Sequence, residues 1–182
     1  MSGTKKYEIL FDENNEDIFL GKIVHRIKAL DDIKNNNGVV IVKKHEIGGY
    51  VETEHNLSQE GSCWIFDDAI VCDHANLSGD SRIFDEVVMH GHSSASGFST
   101  ISGYACICGN THIENEHVWL PISIPNNQEL ARAINLQATE LEKDKPLSSI
   151  FSPQSKLLRK EEKCKECNKL DDKIENKNKS KF

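Results

Sequence analysis

A six-residue repeat constrains this chain more than any other feature of its sequence. From Cys63 to Glu116 the sequence divides into nine hexads without an insertion: CWIFDD, AIVCDH, ANLSGD, SRIFDE, VVMHGH, SSASGF, STISGY, ACICGN and THIENE. The first position is mostly small or short, the third is always apolar, and the fifth is always Asp, Gly or Asn. These three residue types tolerate the left-handed backbone of a tight turn. Each hexad is therefore expected to form one short strand and one corner.

The period also predicts how the hexads assemble. Three strands and three corners close a triangular coil of about 18 residues, and stacked coils pair through parallel-sheet hydrogen bonds at roughly 4.8 Å. Strand alternation places positions one and three inside the coil and positions two and four outside. A helix cannot keep a turn residue in every sixth place, and a β-sandwich would need strands about 8–12 residues apart. The pattern favours a parallel β-solenoid.

The hexads resemble those of the hexapeptide-repeat proteins, which fold as left-handed parallel β-helices. The preceding segment, GGYVETEHNLSQEGSCWIF from Gly48 to Phe66, looks like that of a small bacterial and phage group within this superfamily. In that group a Gly-Gly-aromatic run and an Asn-Leu-Ser-x-Glu-Gly-x-Cys-Trp run lead into the coils. The resemblance covers roughly residues 7–119. It implies an all-β solenoid, a left-handed parallel β-helix of three to four coils, and no particular reaction.

The whole chain divides into four predicted parts. Residues 1–44 contain the apolar runs YEILF and KIVHRIKAL and are expected to form an N-terminal β cap. Residues 45–120 form the β-helix, with a degenerate first coil ahead of the regular hexads at 63–116. Residues 121–154 are expected to hold a C-terminal helix, capped by Asn126 or Asn127, and a linker. Residues 155–182 carry ten Lys and Arg against six Asp and Glu, which predicts a charged tail, disordered or loosely helical.

Charge and composition exclude several classes of protein. The net charge is −7, of which the tail contributes +4 and the remainder −11, so nucleic acid is not expected as a partner. No apolar run approaches the roughly 18 residues of a membrane span, and the start MSGTKKYEIL has no apolar signal segment. We therefore expect a cytoplasmic protein without a membrane partner. Its six cysteines are expected to be reduced thiols or metal ligands rather than disulfides.

Residues 18 apart should lie above one another, which sorts the outward side chains onto three faces. Face 1 carries Trp64, Arg82 and Thr100 beside Phe66, Phe84 and Ser102. Face 2 carries Ile70, Val88 and Cys106 beside Cys72, His90 and Cys108. Face 3 carries Asn76, Ser94 and His112 beside Ser78, Ser96 and Glu114. Face 3 is polar, as a solvated face should be, whereas face 2 is apolar and face 1 is aromatic at its lower end.

An apolar outer face normally means that something covers it. We expect the side chains of Ile70, Cys72, Val88, Cys106 and Cys108 to be buried, either by the helix that begins near Gln128 or by a neighbouring subunit. The resemblance implies a homo-oligomer and favours a trimer. On face 1, Trp64, Phe66 and Phe84 are predicted to bind an unidentified protein partner, unless the N-terminal strands pack on them as an end cap.

The histidines and cysteines raise the possibility of a metal site. A column of Cys72, His90 and Cys108 spans three coils, so its outer ligands lie roughly 10 Å apart, too far for one zinc ion. Only adjacent coils could share an ion, for example through Cys72, His74, His90 and His92, and no metal is predicted. The tail pair, Cys164 and Cys167, is a lone C-x-x-C without the second pair of a four-cysteine site, although a trimer could bring three pairs together.

Catalysis is the remaining question. In acyltransferases with this repeat, an outward histidine serves as general base and acyl-CoA lies along the coils, so the resemblance nominates His90 and His92. Those enzymes usually carry a loop inserted between coils, which the hexads here lack. The leading hypothesis is a non-enzymatic oligomeric interaction or scaffold protein without a cofactor. The alternative is an acyl-CoA-dependent O- or N-acyltransferase, and a small-ligand binder at a subunit cleft stays open.

Overall fold

Short strands separated by corners build most of the chain. The computed structural model describes residues 5–119 and 123–141, with side chains described as far as residue 137. The predicted linker after residue 141 and the charged tail with Cys164 and Cys167 lie outside the described residues. Within them, the predicted all-β parallel solenoid with a C-terminal helix is confirmed.

The N-terminal part consists of antiparallel strands that continue one side of the solenoid. Its six strands are β1 (Tyr7–Ile9), β2 (Glu16–Phe19), β3 (Lys22–Ala29), β4 (Ile33–Lys34), β5 (Val40–Val42) and β6 (Ile47–Val51). Strand β3 pairs with β1, β2 and β6, and β6 pairs in parallel with the solenoid strand that follows it in the sheet. A second hairpin, β4–β5, stands apart from this sheet.

Eleven further strands form the coils, one for each side of the triangle at each level. They are β7 (Trp64–Ile65), β8 (Ile70–Val71), β9 (Asn76–Leu77), β10 (Arg82–Ile83), β11 (Val88–Met89), β12 (Ser94–Ser96), β13 (Thr100–Ile101), β14 (Cys106–Ile107), β15 (His112–Glu114), β16 (His117–Val118) and β17 (Ser123–Ile124). Face 1 is the four-stranded sheet β7-β10-β13-β16, and face 3 is the three-stranded sheet β9-β12-β15. Face 2 belongs to the eight-stranded sheet, in which seven strands follow the order β1-β3-β6-β8-β11-β14-β17 and β2 pairs with β3 beside this path. The register offset between β7, β10 and β13 is 18 residues, as the period requires.

The interior follows the hexad pattern. All nine third-position side chains, from Ile65 to Ile113, are fully buried. Four first positions are occupied by buried hydroxyls, and each donates to the carbonyl three residues earlier at 2.5–2.9 Å; they are Ser81, Ser93, Ser99 and Thr111. Because these polar groups are hydrogen-bonded, the interior tolerates them. This explains how a chain with 37% apolar residues builds a continuous core.

The fifth positions hold adjacent coils together at the corners. Asp67 and Asp85 have φ values of 53° and 59°, in the left-handed region. The Asp67 carboxylate accepts a hydrogen bond from the Asp85 amide at 3.1 Å, and the Asp85 carboxylate accepts one from the Gly103 amide at 2.8 Å. Aspartate at these corners therefore adds a bond between coils that glycine cannot provide.

The degenerate first coil departs from the 18-residue offset. Val51 pairs with Val71 and Leu57 with Leu77, both 20 residues further on, whereas Ile65 pairs with Ile83 at the regular offset of 18. The two extra residues therefore lie between Leu57 and Ile65. The buried Asn56 amide donates to the Asp73 and Ala75 carbonyls at 3.1 and 2.9 Å. Counting back from Ile65 in steps of six would put Gln59 and Thr53 in third positions, but the buried Leu57 supplies the inward apolar side chain instead.

Helix α1 (Asn127–Leu141) closes the C-terminal end of the coil stack. The Asn126 side chain accepts a hydrogen bond from the Glu129 amide at 3.0 Å, as a helix N-cap does. Leu130 and Ala133 join the solenoid core, and Gln137 accepts from the Trp119 amide at 2.9 Å. Across residues 5–119 and 123–141, the structure contains no helix with the length and apolar content needed to cross a membrane.

Candidate functional site

Face 2 is closed within a single chain. The six outward side chains that define it are each at most 2% exposed; they are Ile70, Cys72, Val88, His90, Cys106 and Cys108. Phe19 and Val24 belong to the same buried cluster, with Leu20 and Tyr50 half-buried beside them. Phe19 and Val24 come from the β2–β3 hairpin. The hairpin therefore packs on the outside of the sheet that forms face 2.

The hairpin is a cover that the sequence analysis did not consider. Helix α1 packs against β15, β16 and β17 at the end of the stack, because its apolar side chains join the interior of the last coil. The hairpin can cover the face because β3 extends the same sheet, and alternation turns Phe19 and Val24 inward. Their neighbours Ile18 and Ile23 are 66% and 53% exposed. That alternation was the sequence signal for the cover, and sequence reasoning missed it.

A charged cluster anchors the tip of this hairpin. Lys22 forms ion pairs with the carboxylates of Asp73 and of Glu52, the latter at 3.2 Å. The Asp73 carboxylate also accepts a hydrogen bond from the Gly91 amide at 3.1 Å. Partial burial by itself would raise the pKa of Asp73, but the hydrogen bonds from Lys22 and Gly91 outweigh it and lower that pKa. Asp73 is therefore an ionised carboxylate at the edge of face 2.

The structure brings three metal-ligating side chains together on face 2. The ligand atoms of His90, Cys106 and Cys108 all lie within 4.8 Å of one another. The His90 Nε2 atom is 3.5 Å from the Cys106 Sγ atom, and its Nδ1 atom is 3.8 Å from the Asp73 carboxylate. Both thiols lie on one coil, and the imidazole lies on the coil before it. The group therefore joins adjacent coils, as the zinc distances require, but it is not the quartet of residues that the sequence suggested.

The other nominated ligands lie elsewhere. Cys72 is buried on face 2 but is not part of the group, and burial raises the pKa of its thiol to about 12. His74 and His92 are exposed at a corner, with their rings stacked at a centroid distance of 4.7 Å. The quartet of Cys72, His74, His90 and His92 is therefore not gathered around one point.

The two candidate general bases differ in accessibility. His90 is 1% exposed, and its two ring nitrogens face Cys106 and Asp73. A substrate therefore has no approach to this imidazole in the folded chain. His92 is exposed, and its ring stacks on that of His74.

The aromatic group on face 1 divides into a cap and a surface. Trp64 has no exposed surface, and its ring meets that of Tyr7 edge-on at a centroid distance of 6.4 Å. The N-terminal strands thus pack on Trp64 as an end cap, and Trp64 is not accessible to a partner. Phe66 and Phe84 remain half-buried, with their rings stacked at 4.5 Å and an interplanar angle of 7°. Their stacking follows from the register, because residues 18 apart lie one strand spacing apart.

The corners beside face 1 carry further aromatic and acidic side chains. Phe98 is 63% exposed on one corner and Tyr104 is 43% exposed on the other. The corner with Tyr104 encloses an open depression of about 320 Å³ whose acidic lining is formed by Asp67, Asp68, Asp85 and Glu86. One of these carboxylates, that of Asp68, already forms an ion pair with Arg26.

Comparisons with known proteins add no family: no protein-family model matches the chain, and no curated protein matches it.

Proposed function

We propose that this chain is a non-enzymatic interaction or scaffold module, built on a left-handed hexapeptide-repeat β-helix of bacterial or phage origin and acting in the cytoplasm. The stacked Phe66–Phe84 pair carries the proposal. It lies half-buried on an outer face of the solenoid, and Phe98 and Tyr104 on the flanking corners remain substantially exposed. Aromatic side chains are enriched at the centres of protein interfaces.

The chemistry of this surface favours a basic protein segment as partner. The depression beside Tyr104 is lined by four carboxylate side chains, and residues 1–154 carry a net charge of −11. Lysine or arginine side chains of a partner would pair with the carboxylates, and an arginine could also stack on the exposed rings. Binding should therefore weaken as salt concentration rises.

Self-association is part of the proposal. The hexapeptide-repeat resemblance favours a homotrimer about an axis parallel to the coils. The hairpin side chains Phe19 and Val24 already pack against face 2, so a trimer would use other surfaces than the hairpin-covered part. Light scattering of the purified chain measures the assembly directly.

The acyltransferase alternative receives less support. Its general base would be His90, which is buried between Cys106 and Asp73, or His92, which stands on an exposed corner. No observation favours an acyl-CoA site at either position, so the proposed function includes no cofactor.

Replacing Phe84 by serine tests the proposed surface. Serine fits this column, because Ser102 occupies the next coil, so the coil pairing should persist. Losing an aromatic anchor should weaken partner binding by at least about tenfold, whereas the melting temperature should fall by only a few degrees, since an aromatic pair contributes about 0.5–1.5 kcal/mol. Partners crosslinked to the wild-type chain in host extracts are purified, and their affinities are measured by calorimetry at low and high salt.

The matched control is Phe11→Ser, which removes an aromatic ring that is 72% exposed in the N-terminal part. It should leave partner affinity unchanged. Equal affinity of wild type and Phe84→Ser would contradict the proposal. So would a thermal shift by acyl-CoA that disappears in His92→Ala, since that result would indicate the acyltransferase.

A further inference from the structure

We propose that His90, Cys106 and Cys108 bind one zinc ion that fastens adjacent coils of the solenoid beneath the closed face 2. The proposal is independent of the partner-binding function of face 1. Its starting point is geometric: three ligand atoms of the types that zinc prefers lie within 4.8 Å of one another, and all three side chains are buried. Thiolate and imidazole together favour zinc over the hard cations magnesium and calcium.

The distances fit a tetrahedral ion. With Zn–S bonds of about 2.3 Å and Zn–N bonds of about 2.0–2.1 Å, neighbouring ligand atoms are separated by roughly 3.5–3.8 Å. The observed separation of His90 Nε2 and Cys106 Sγ is 3.5 Å. The remaining separations are below 4.8 Å, so small rotations of the Cys108 side chain complete the triangle. A water molecule would fill the fourth position.

The surroundings orient the imidazole for this role. The His90 Nδ1 atom faces the Asp73 carboxylate at 3.8 Å, and Asp73 is itself held by Lys22 and the Gly91 amide. At 3.8 Å this contact is longer than a hydrogen bond, but a carboxylate on this side favours a proton on Nδ1, which would leave the Nε2 lone pair directed at the thiols. Metal-bound histidines characteristically have such an outer partner.

Charge balance supports the same assignment. A zinc ion with two thiolates and a neutral imidazole carries no net charge, so the unit can be buried without an uncompensated ion.

Two other uses of these cysteines fit less well. A disulfide needs Cβ atoms about 3.8 Å apart, whereas same-face positions of one strand are separated by about 6.6 Å with parallel side chains. If Cys106 were a nucleophile activated by His90 and Asp73, a substrate would have to reach its thiol. Cys106 is only 2% exposed, so the folded chain gives no such access. The presence of a second thiol at Cys108 is what a metal site requires.

Metal content and cobalt substitution test the proposal on the full chain. The wild-type protein, purified without chelator, should contain about one zinc ion per chain. Cobalt exchanged into it should give the visible bands of a tetrahedral thiolate site. Because changes in the outer shell alone weaken metal binding by about 10–100-fold, Cys106→Ser and Cys108→Ser should each weaken it by at least about 100-fold.

Cys72→Ser is the matched control, since it replaces a thiol that is equally buried on the same face but outside the group. It should retain zinc. A Cys164→Ser/Cys167→Ser double variant separates the solenoid site from the tail. Retention of zinc by this double variant supports the proposal, whereas loss of zinc only on removal of the tail pair, with full retention by Cys106→Ser, would overturn it.

One measurement does not depend on whether the variants fold. Chelation of zinc from the wild-type chain should lower its melting temperature by about 5–10 °C, and added zinc should restore it. A wild-type chain that contains no zinc, shows no cobalt–thiolate spectrum and melts unchanged with chelator would overturn the proposal.

Discussion

Replacing Val88 by glutamate is expected to lower the free energy of unfolding by about 3–5 kcal/mol, as burial of an unpaired charge does. Val88 is 1% exposed and stands in the column between Ile70 and Cys106. It belongs to the buried cluster that includes Phe19 and Val24 of the β2–β3 hairpin. A carboxylate at this place would have to displace the hairpin or remain desolvated. Urea unfolding followed by circular dichroism measures the difference.

Ser94→Glu is the control for this variant. Ser94 occupies the same second position one hexad later, on polar face 3, and is partly exposed. A glutamate there should change stability by no more than about 0.5 kcal/mol. If Val88→Glu instead kept the wild-type unfolding midpoint and altered only the mass in solution, face 2 would be an open subunit interface rather than a face closed by its own chain.

Gly49→Ala is expected to destabilise the chain by about 3 kcal/mol or more. A Cβ atom at Gly49 would lie 2.4 Å from the Ile65 Cγ2 atom and 2.5 Å from the Ala69 carbonyl oxygen. The carbonyl belongs to the backbone and cannot rotate away, so β6 would have to separate from the first full coil. Overpacking of this kind usually costs about 1–3 kcal/mol, and more where the backbone must shift. The loss should appear as a lower midpoint in thermal and urea unfolding.

Gly21→Ala provides the comparison. Gly21 has a φ of +79°, but a Cβ atom there would meet nothing within 4 Å. Its cost should be only the backbone strain of about 1–2 kcal/mol. Equal stability losses in the two variants would show that β6 does not pack against the coil as described.

The regular part of the fold was predictable because each hexad position has one physical task. Third positions such as Ile83 must be apolar because they point into the coil, and fifth positions such as Asp85 must tolerate a positive φ. The C-terminal helix was equally visible, since Asn126 marks its start and Leu130 its apolar side. These are local rules, and one sequence is enough to apply them.

What could not be predicted depends on contacts between distant segments. Trp64 occupies an outward position, and the sequence left open whether it forms a partner surface or part of the end cap; only the packing of Tyr7 against it decides for the cap. The closure of face 2 requires β3 to pair with β6, a pairing that no local pattern encodes. The group of His90, Cys106 and Cys108 was only partly visible. Column arithmetic already places His90 next to Cys108 on the adjacent coil, but it does not show that Cys106, two residues before Cys108 on the same face, brings a third ligand to them.

Native thiol labelling of Cys72 tests most directly whether the chain itself closes face 2 and so leaves face 1 as the surface for a partner. Cys72 lies on the closed face, is 1% exposed, and is not one of the three metal-ligating residues. With iodoacetamide and mass spectrometry, Cys72 should stay unmodified in the native chain at every protein concentration and react once the chain is unfolded. Phe19→Ala, which shortens a hairpin side chain in the buried cluster, should speed the reaction. Modification of native wild-type Cys72 at the rate of an exposed thiol, or protection that disappears on dilution, would contradict the account.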